Sequence, residues 1–144
     1  MALSDIQLCS AALTRLGAAS IASLTEETTE AEVAAQLYPH ARDHLLSSFY
    51  WSFARAQKDL EQSTGKPLAD FTYAYNLPNG FIRAERLGNR LTSRRIPEYQ
   101  IMENRLHTDV SPAILTYTFR APESDWPAYF GESIIARLAA DFCM

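Results

Sequence analysis

Apolar residues recur every three or four positions near the amino terminus and predict a first helix there. Ser4 and Gln7 form an S-x-x-Q capping box, which favours a helix start at Ser4, and Gly17 is a typical helix stop. The apolar stripe of this helix consists of Ile6, Cys9, Leu13 and Leu16. Such a stripe must be covered by another element of the fold.

The second helical pattern is the longest in the chain. It begins at Thr28 or Thr29 and carries Glu30 and Glu32 in its first turn, where carboxylates interact favourably with the helix dipole. Its apolar residues recur at a spacing of four, at Val33, Leu37, Ala41, Leu45 and Phe49. Pro39 lies in the middle of this pattern and removes a backbone donor, so we expect a kink or a break there.

The pattern then changes from helical spacing to alternation. Residues 52–61 follow no single period, and residues 62–67 have the composition of a loop. Strict alternation at residues 71–77 predicts a strand. Further strands are expected at residues 81–87, 99–102 and 113–119. Because these strands are short and separated by turns, we expect hairpin connections and an antiparallel sheet.

The last element is again helical. Asp125 is its expected N-cap, and Pro127 lies in its first turn. Its apolar stripe consists of Trp126, Phe130, Ile134, Leu138 and Phe142. The sequence stops at Met144 without a cap or a polar tail, so we expect the natural chain to continue past this residue.

These elements together predict an α+β fold that is helix-dominated. Antiparallel helices form its main part, and a small antiparallel β unit is inserted between helix two and the C-terminal helix. We expect a single domain over residues 1–144. Its parts are a helical part at residues 1–62, an inserted β region at residues 68–121, and a C-terminal helix at residues 124–144 that returns to the helical part.

The composition is that of a soluble globular protein, with 144 residues of which 47% are hydrophobic and 21% charged. The net charge of -4 counts against phosphate-backbone binding as the main role, since that role needs clustered basic residues. The sequence has neither a secretory signal nor a membrane-spanning apolar run, so we expect no membrane partner. Cys9 and Cys143 lie in apolar helical patterns, which favours small buried side chains in a protein from a reducing compartment.

Candidate metal ligands are limited to two histidines on helix two. His40 and His44 are four positions apart, which brings both rings to one helical face. A third ligand and the glutamate of H-E-x-x-H are missing, so we expect no metal and no other cofactor, and a metal-dependent hydrolase is the weaker alternative. The sequence also lacks glycine-rich phosphate-binding loops and a nucleophile elbow, so we expect no enzymatic activity.

A second alternative is a small nucleic-acid-binding or regulatory helical module, because helices one and two have the order of a helix-turn-helix. The acidic start of helix two counts against it, since a recognition helix needs basic and amide residues there. Arginines in the β region suit an acidic partner or DNA, although a solvated surface is the more ordinary interpretation. They are Arg83, Arg86, Arg90, Arg94 and Arg95.

Several phrases of sequence occur in an order that resembles one family. They are L-C-S-A-A-L-T-R-L-G at residues 8–17, A-S-I-A-S-L at 19–24, L-Y-P-H-A-R-D-H-L-L at 37–46, W-S-F-A at 51–54, F-T-Y-A-Y-N-L-P at 71–78 and W-P at 126–127. This order resembles the head-to-tail connector adaptors of tailed bacteriophages. The likeness is to the tail tubular protein A-like proteins of short-tailed phages and to the adaptors of long-tailed phages and gene transfer agents.

The resemblance implies a structural virion protein without catalytic residues. Members of that family form a homo-oligomeric ring, usually of about twelve subunits, that docks under the portal protein. A stopper or tail (nozzle) protein follows the ring, and genomic DNA passes through the channel without sequence-specific binding. The expected location is the connector, or neck, of the virion, after assembly in the cytoplasm of a host bacterium.

A contact between neighbours in a ring is heterologous, so each subunit must present two different complementary patches. Aromatic and arginine side chains are enriched in such contacts. We expect Arg42 and Asp43 of helix two to contribute to one patch together with the region around Trp51. The full set of interface candidates is Tyr38, Arg42, Asp43, Trp51, Phe53, Arg94 and Arg95.

Overall fold

The computed structural model of the protein describes residues 3–67, 70–88 and 98–143. Within these ranges the chain forms three α-helices, six β-strands and two short 3-10 helices. The chain divides into two compact units. The helical unit comprises Met1–Phe49 and Ala121–Met144, and the β unit comprises Tyr50–Arg120.

Helix α1 spans Asp5–Arg15, and both of its ends are capped as the sequence predicts. The Ser4 hydroxyl accepts a hydrogen bond from the Gln7 N–H at 3.3 Å, and the Gln7 side chain accepts one from the Ser4 N–H at 2.9 Å. Gly17 has a φ of +75°, which lets its N–H and the N–H of Ala18 reach the last helical carbonyls at 3.0 and 2.9 Å. The predicted capping box and glycine stop are confirmed.

The buried side of α1 differs slightly from the predicted stripe. It consists of Leu8, Cys9, Ala12 and Leu13. Burial, together with the charge of Asp5, raises the pKa of the Cys9 thiol to about 12, so the thiol stays protonated and unreactive. Cys143 is exposed, because it lies at the C-cap of the last helix, and the prediction that it is buried is wrong.

Helix α2 spans Thr29–Ser47 and continues through Pro39 without a break. Thr28 is its N-cap, and the Thr28 hydroxyl accepts a hydrogen bond from the Ala31 N–H at 3.2 Å. The buried residues of α2 are Ala31, Ala34, Tyr38, Ala41 and Leu46. Only Ala41 of the predicted stripe is among them, because each step of four residues turns about 40° past a full helical turn and leaves the starting face.

Helix α3 spans Ala128–Phe142 and packs on both α1 and α2. Most of its predicted stripe is buried, with Ile135 as an addition. The buried residues are Trp126, Phe130, Ile134, Ile135 and Leu138. The helix starts later than predicted, because Glu123–Asp125 form a 3-10 turn and Pro127 takes the N-cap position. None of the helices in the described ranges is long and apolar enough to cross a membrane.

The β unit contains two three-stranded antiparallel sheets. Its strands are β1 Arg55–Asp59, β2 Tyr73–Asn76, β3 Phe81–Gly88, β4 Tyr99–Met102, β5 Arg105–Thr108 and β6 Ile114–Phe119. The first sheet has the order β1-β6-β3, and the second has the order β2-β5-β4. A single core cluster draws residues from both sheets. It consists of Leu60, Tyr75, Leu87, Leu106, Ala113, Leu115 and Tyr117.

Two of these strands were not predicted, for different physical reasons. Strand β1 lies at the edge of its sheet and is exposed except for Ala56, so it shows no apolar alternation. Strand β5 is central and buried, but two of its three buried residues, His107 and Thr108, are polar. The Thr108 hydroxyl donates to the Glu98 carbonyl oxygen at 2.8 Å, and His107 Nε2 lies 3.1 Å from the Met102 carbonyl oxygen.

The prediction of a helix-dominated fold is wrong. Among the described residues 39% are helical and 25% lie in strands, so the fold is α+β with a substantial share of sheet. The strands form two sheets over a common core instead of a small insertion, because the segment Tyr50–Arg120 is long enough to bury its own apolar side chains. The organisation as a single domain stays a prediction.

Candidate functional site

Tyr38, the first interface candidate, is a buried side chain of the helical unit. It lies on α2, is 3% exposed, and donates a hydrogen bond from its hydroxyl to Glu123 Oε1 at 2.7 Å. Burial, reinforced by this hydrogen bond and the charge of Glu123, raises the pKa of Tyr38 above its ordinary range. The pair fixes α2 to the segment that precedes α3.

Arg42 and Asp43 lie one turn further along α2 and are only partly buried. Arg42 Cζ is 5.8 Å from the centroid of the Tyr38 ring, and Arg42 Nε is 3.0 Å from Asp43 Oδ1. The side chains of Arg42 and Asp43 are 20% and 35% exposed, so both present polar atoms to the surface. Their role in an interface stays a prediction.

Trp51 and Phe53 lie at the start of the β unit. Trp51 is the N-cap of the 3-10 helix Ser52–Ala54, which contains Phe53. The two rings are tilted by 39° with centroids 6.0 Å apart, and both side chains are half-buried. The geometry therefore joins these two candidates into one aromatic pair, whose place in an interface also stays a prediction.

The remaining predicted residues form no described site. His40 and His44 are exposed on α2, and the described residues contain no group of three or more side chains able to hold a metal. Arg94 and Arg95 lie outside the described residues.

An apolar groove of about 390 Å³ lies in the helical unit beside the N-termini of α1 and α3. Leu3, Leu8, Trp126 and Ile135 supply most of its apolar lining. Glu132 at its rim is bonded to Arg15, with Nη2 and Oε2 2.6 Å apart. The groove has the size and chemistry to accept an apolar side chain, and no pattern in the sequence indicated it.

A basic surface lies on one face of the first sheet of the β unit. Residues directly opposite each other in antiparallel strands point to the same face. Arg55 of β1 and Arg83 of β3 both oppose Thr118 of β6. Arg86 of β3 opposes Thr116, two residues away on β6, and therefore shares that face. We call the set of Arg55, Arg83 and Arg86 the arginine face.

A β-bulge brings Arg83 and Arg86 to the same face. In a regular strand, residues three positions apart point to opposite faces. The register of β3 against β6 shifts between Ala84 and Arg86, which makes Glu85 an extra residue and restores Arg86 to the face of Arg83. The sequence shows the arginines but not the bulge. Arg55 was missed because it lies in the segment without a clear period.

All three side chains of the arginine face are exposed. Arg55 Nε is 2.8 Å from Glu85 Oε2, and the Arg55 side chain remains 45% exposed. Arg83 is exposed and stacks on the Tyr50 ring, with its Cζ 4.2 Å from the ring centroid. Arg86 is exposed and has no ion-pair partner among the described residues. Asp59, opposite Ile114, lies on the same face at the end of β1.

No protein-family model matches this chain, and no curated protein matches it either. Support for a function therefore comes from the order of the sequence phrases and from the geometry of the two units.

Proposed function

We propose that this chain is an adaptor subunit of a ring in the head-to-tail connector of a tailed bacteriophage. In this role the ring links the portal protein to a stopper or tail protein and continues the DNA channel. The observation that carries the proposal is the order of the sequence phrases, which resembles the adaptor family over nearly the whole chain. The virion neck is the corresponding location.

Several of these sequence phrases supply buried core residues, which supports a resemblance at the level of the fold. The phrase at residues 37–46 supplies buried Tyr38 and Leu46, and the phrase at residues 71–78 supplies buried Tyr75. Trp126 of the last phrase is also buried, and its Nε1 donates to the Ala121 carbonyl oxygen at 2.9 Å. Core residues specify how a chain packs, so phrases of this kind favour a shared fold and a structural role over a shared reaction.

The helical unit has exposed apolar side chains that are suited to contacts between subunits. Leu3 is 42% exposed, Phe49 is 61% exposed and Tyr129 is 55% exposed. Single exposed apolar residues are common in monomers, but exposed aromatic side chains are also what assembly buries. The groove beside the N-termini of α1 and α3 is a second feature that suits a heterologous contact, because an apolar side chain that protrudes from a neighbouring subunit can enter it.

Electron microscopy of the protein mixed with the portal ring of the same genome tests the proposal. The expected result is a second ring of density under the portal, with the rotational symmetry of a closed assembly of about twelve copies. A portal that carries no added density at saturating concentrations of the chain would contradict the proposal. Binding of the chain to duplex DNA, in that case, would favour the nucleic-acid-binding alternative.

A further inference from the structure

The arginine face places three positive side chains on a sheet surface of a protein whose net charge is -4. Two of them, Arg83 and Arg86, lie on either side of the bulge residue Glu85, which is itself bonded to Arg55. The bulge therefore concentrates cationic groups that regular alternation would divide between two faces. A face of this kind favours a partner that presents several carboxylates or phosphates.

The chain itself carries a matching set of carboxylates at the start of α2. Glu27 and Glu32 are exposed, and Glu30 is half-buried in the first turn of the helix. These three side chains have neither an ion pair nor a hydrogen bond among the described residues. A fourth carboxylate, Glu26, accepts a hydrogen bond from the Ala22 N–H at 2.9 Å. We call these four residues the acidic segment.

We propose that the arginine face of one copy binds the acidic segment of a second copy of this chain. The proposal rests on the proposed function, in which each subunit of a ring needs two different complementary patches. Charge complementarity selects the partner, since the cations belong to the β unit and the carboxylates to the helical unit of the same chain. A second copy also fits better than nucleic acid, because the net charge of -4 repels a polyanion such as duplex DNA more strongly than it repels a second copy of the same modest charge.

Charge reversal on each surface, followed by exchange of the two charges, tests this contact. The basic variant carries Arg83→Glu and Arg86→Glu, and the acidic variant carries Glu27→Lys and Glu32→Lys. Self-association is measured by sedimentation velocity at low salt, for the chain alone and on the portal ring. Each variant is expected to raise the dissociation constant by at least about tenfold, because like charges then face each other. The chain that carries all four substitutions is expected to recover association.

A matched control comes from two lysines of the same β unit. Lys58 opposes Leu115 on the other face of the sheet, and Lys66 is exposed in the loop before β2. The double variant Lys58→Glu and Lys66→Glu changes the net charge as much as the basic variant does, and it is expected to associate like the wild type. Thermal unfolding of every variant shows whether a loss of association reflects a loss of folding, and recovery in the four-substitution chain rules out that explanation directly.

Three results would overturn the proposal. The first is a wild-type chain that stays monomeric at low salt, alone and with the portal, and this result would contradict the proposed function as well. The second is association that both reversal variants leave unchanged. This result would rule out the contact between the arginine face and the acidic segment, but it would not contradict the proposed ring. The third is loss of association without recovery on charge exchange. If the basic variant in addition loses binding to duplex DNA, the arginine face is a nucleic-acid surface.

Discussion

At the scale of single residues, the hydrogen bond between Tyr38 and Glu123 joins α2 to the segment that precedes α3. Tyr38 lies on α2 and Glu123 lies 85 positions later in the sequence, so their bond closes a long loop of chain. Tyr38 is buried and Glu123 is half-buried, so a Glu123 carboxylate that loses this donor keeps part of its desolvation cost. The pair is therefore structural, whatever role Arg42 beside it has in an interface.

Substitution of Tyr38 by phenylalanine is expected to destabilise the protein by about 1–2 kcal/mol, since it removes this donor and leaves the Glu123 carboxylate unpaired. The loss depends on pH. The pKa of Tyr38 is raised in the folded state, so the stability contributed by its proton is fully present below the unfolded pKa of about 10 and declines as pH rises above that value. The difference between wild type and variant is therefore expected to shrink in alkaline solution.

Urea unfolding between neutral and alkaline pH measures both effects. Tyr73→Phe is the matched control, because the Tyr73 hydroxyl has no hydrogen-bond partner among the described residues. Burial also raises the pKa values of Tyr99 and Tyr117, so both proteins lose stability at high pH and only their difference reports on Tyr38. A difference that stays constant across this range would contradict the assignment.

A second residue-scale prediction concerns the turn between β4 and β5. Glu103 and Asn104 have φ angles of 55° and 59°, as a two-residue hairpin turn with left-handed backbone requires. Replacing Asn104 by valine is expected to cost about 1–2 kcal/mol, because a β-branched residue is strained at positive φ. Asn104→Gly is the matched variant and is expected to equal or exceed wild-type stability. Thermal unfolding that ranks valine at or above glycine would contradict this turn.

At the scale of elements, the ends of α1 are where local sequence decides structure. The capping box of Ser4 and Gln7 satisfies donors that the first helical turn leaves free. Ser4→Ala is expected to lower stability by about 1 kcal/mol, with urea unfolding as the measurement. Ser4→Asp keeps an acceptor at the N-cap and is expected to restore stability. Equal stability of the alanine and aspartate variants would show that the cap contributes nothing.

The parts of the fold that the sequence predicts are those encoded by local signals, such as helix caps. The capping box, the Gly17 stop and the stripe of α3 are encoded within a few residues and were identified correctly. The stripe of α2 was not, because a spacing of four residues drifts around a helix whose buried positions also include Ala31 and Ala34. Strand β5 is not predicted because its burial depends on its central place in the second sheet, and burial of polar His107 and Thr108 leaves no apolar period in the sequence.

The candidate site was less predictable than the fold. The sequence predicts Tyr38 as an interface residue, but the environment of its hydroxyl is set by Glu123, which is distant in sequence. The arginine face depends on a bulge at Glu85 and on pairing between three strands that are not consecutive. The register of strand pairing decides which side chains share a face of the sheet. That register is fixed by pairing between distant segments, which the alternation of apolar and polar residues in the sequence does not reveal.

At the scale of the whole molecule, the chain consists of a helical unit and a β unit, each compact in itself. In the proposed role both units present surfaces to neighbours, the acidic segment from the helical unit and the arginine face from the β unit. A contact that uses two different surfaces propagates from copy to copy and closes into a ring when the rotation per subunit allows it. The proposed role is therefore one of assembly, and the mass of the particle measures assembly directly.

Mass photometry of the purified protein, alone and with the portal ring of the same genome, is the most direct test. The chain has a mass of 16.2 kDa, and the connector role predicts a species of about twelve chain masses, or an equal gain in the mass of the portal ring. Control samples with an unrelated ring-shaped protein are expected to gain no mass. A portal that keeps its own mass, beside a chain that stays below the size of any closed ring, would contradict the connector role.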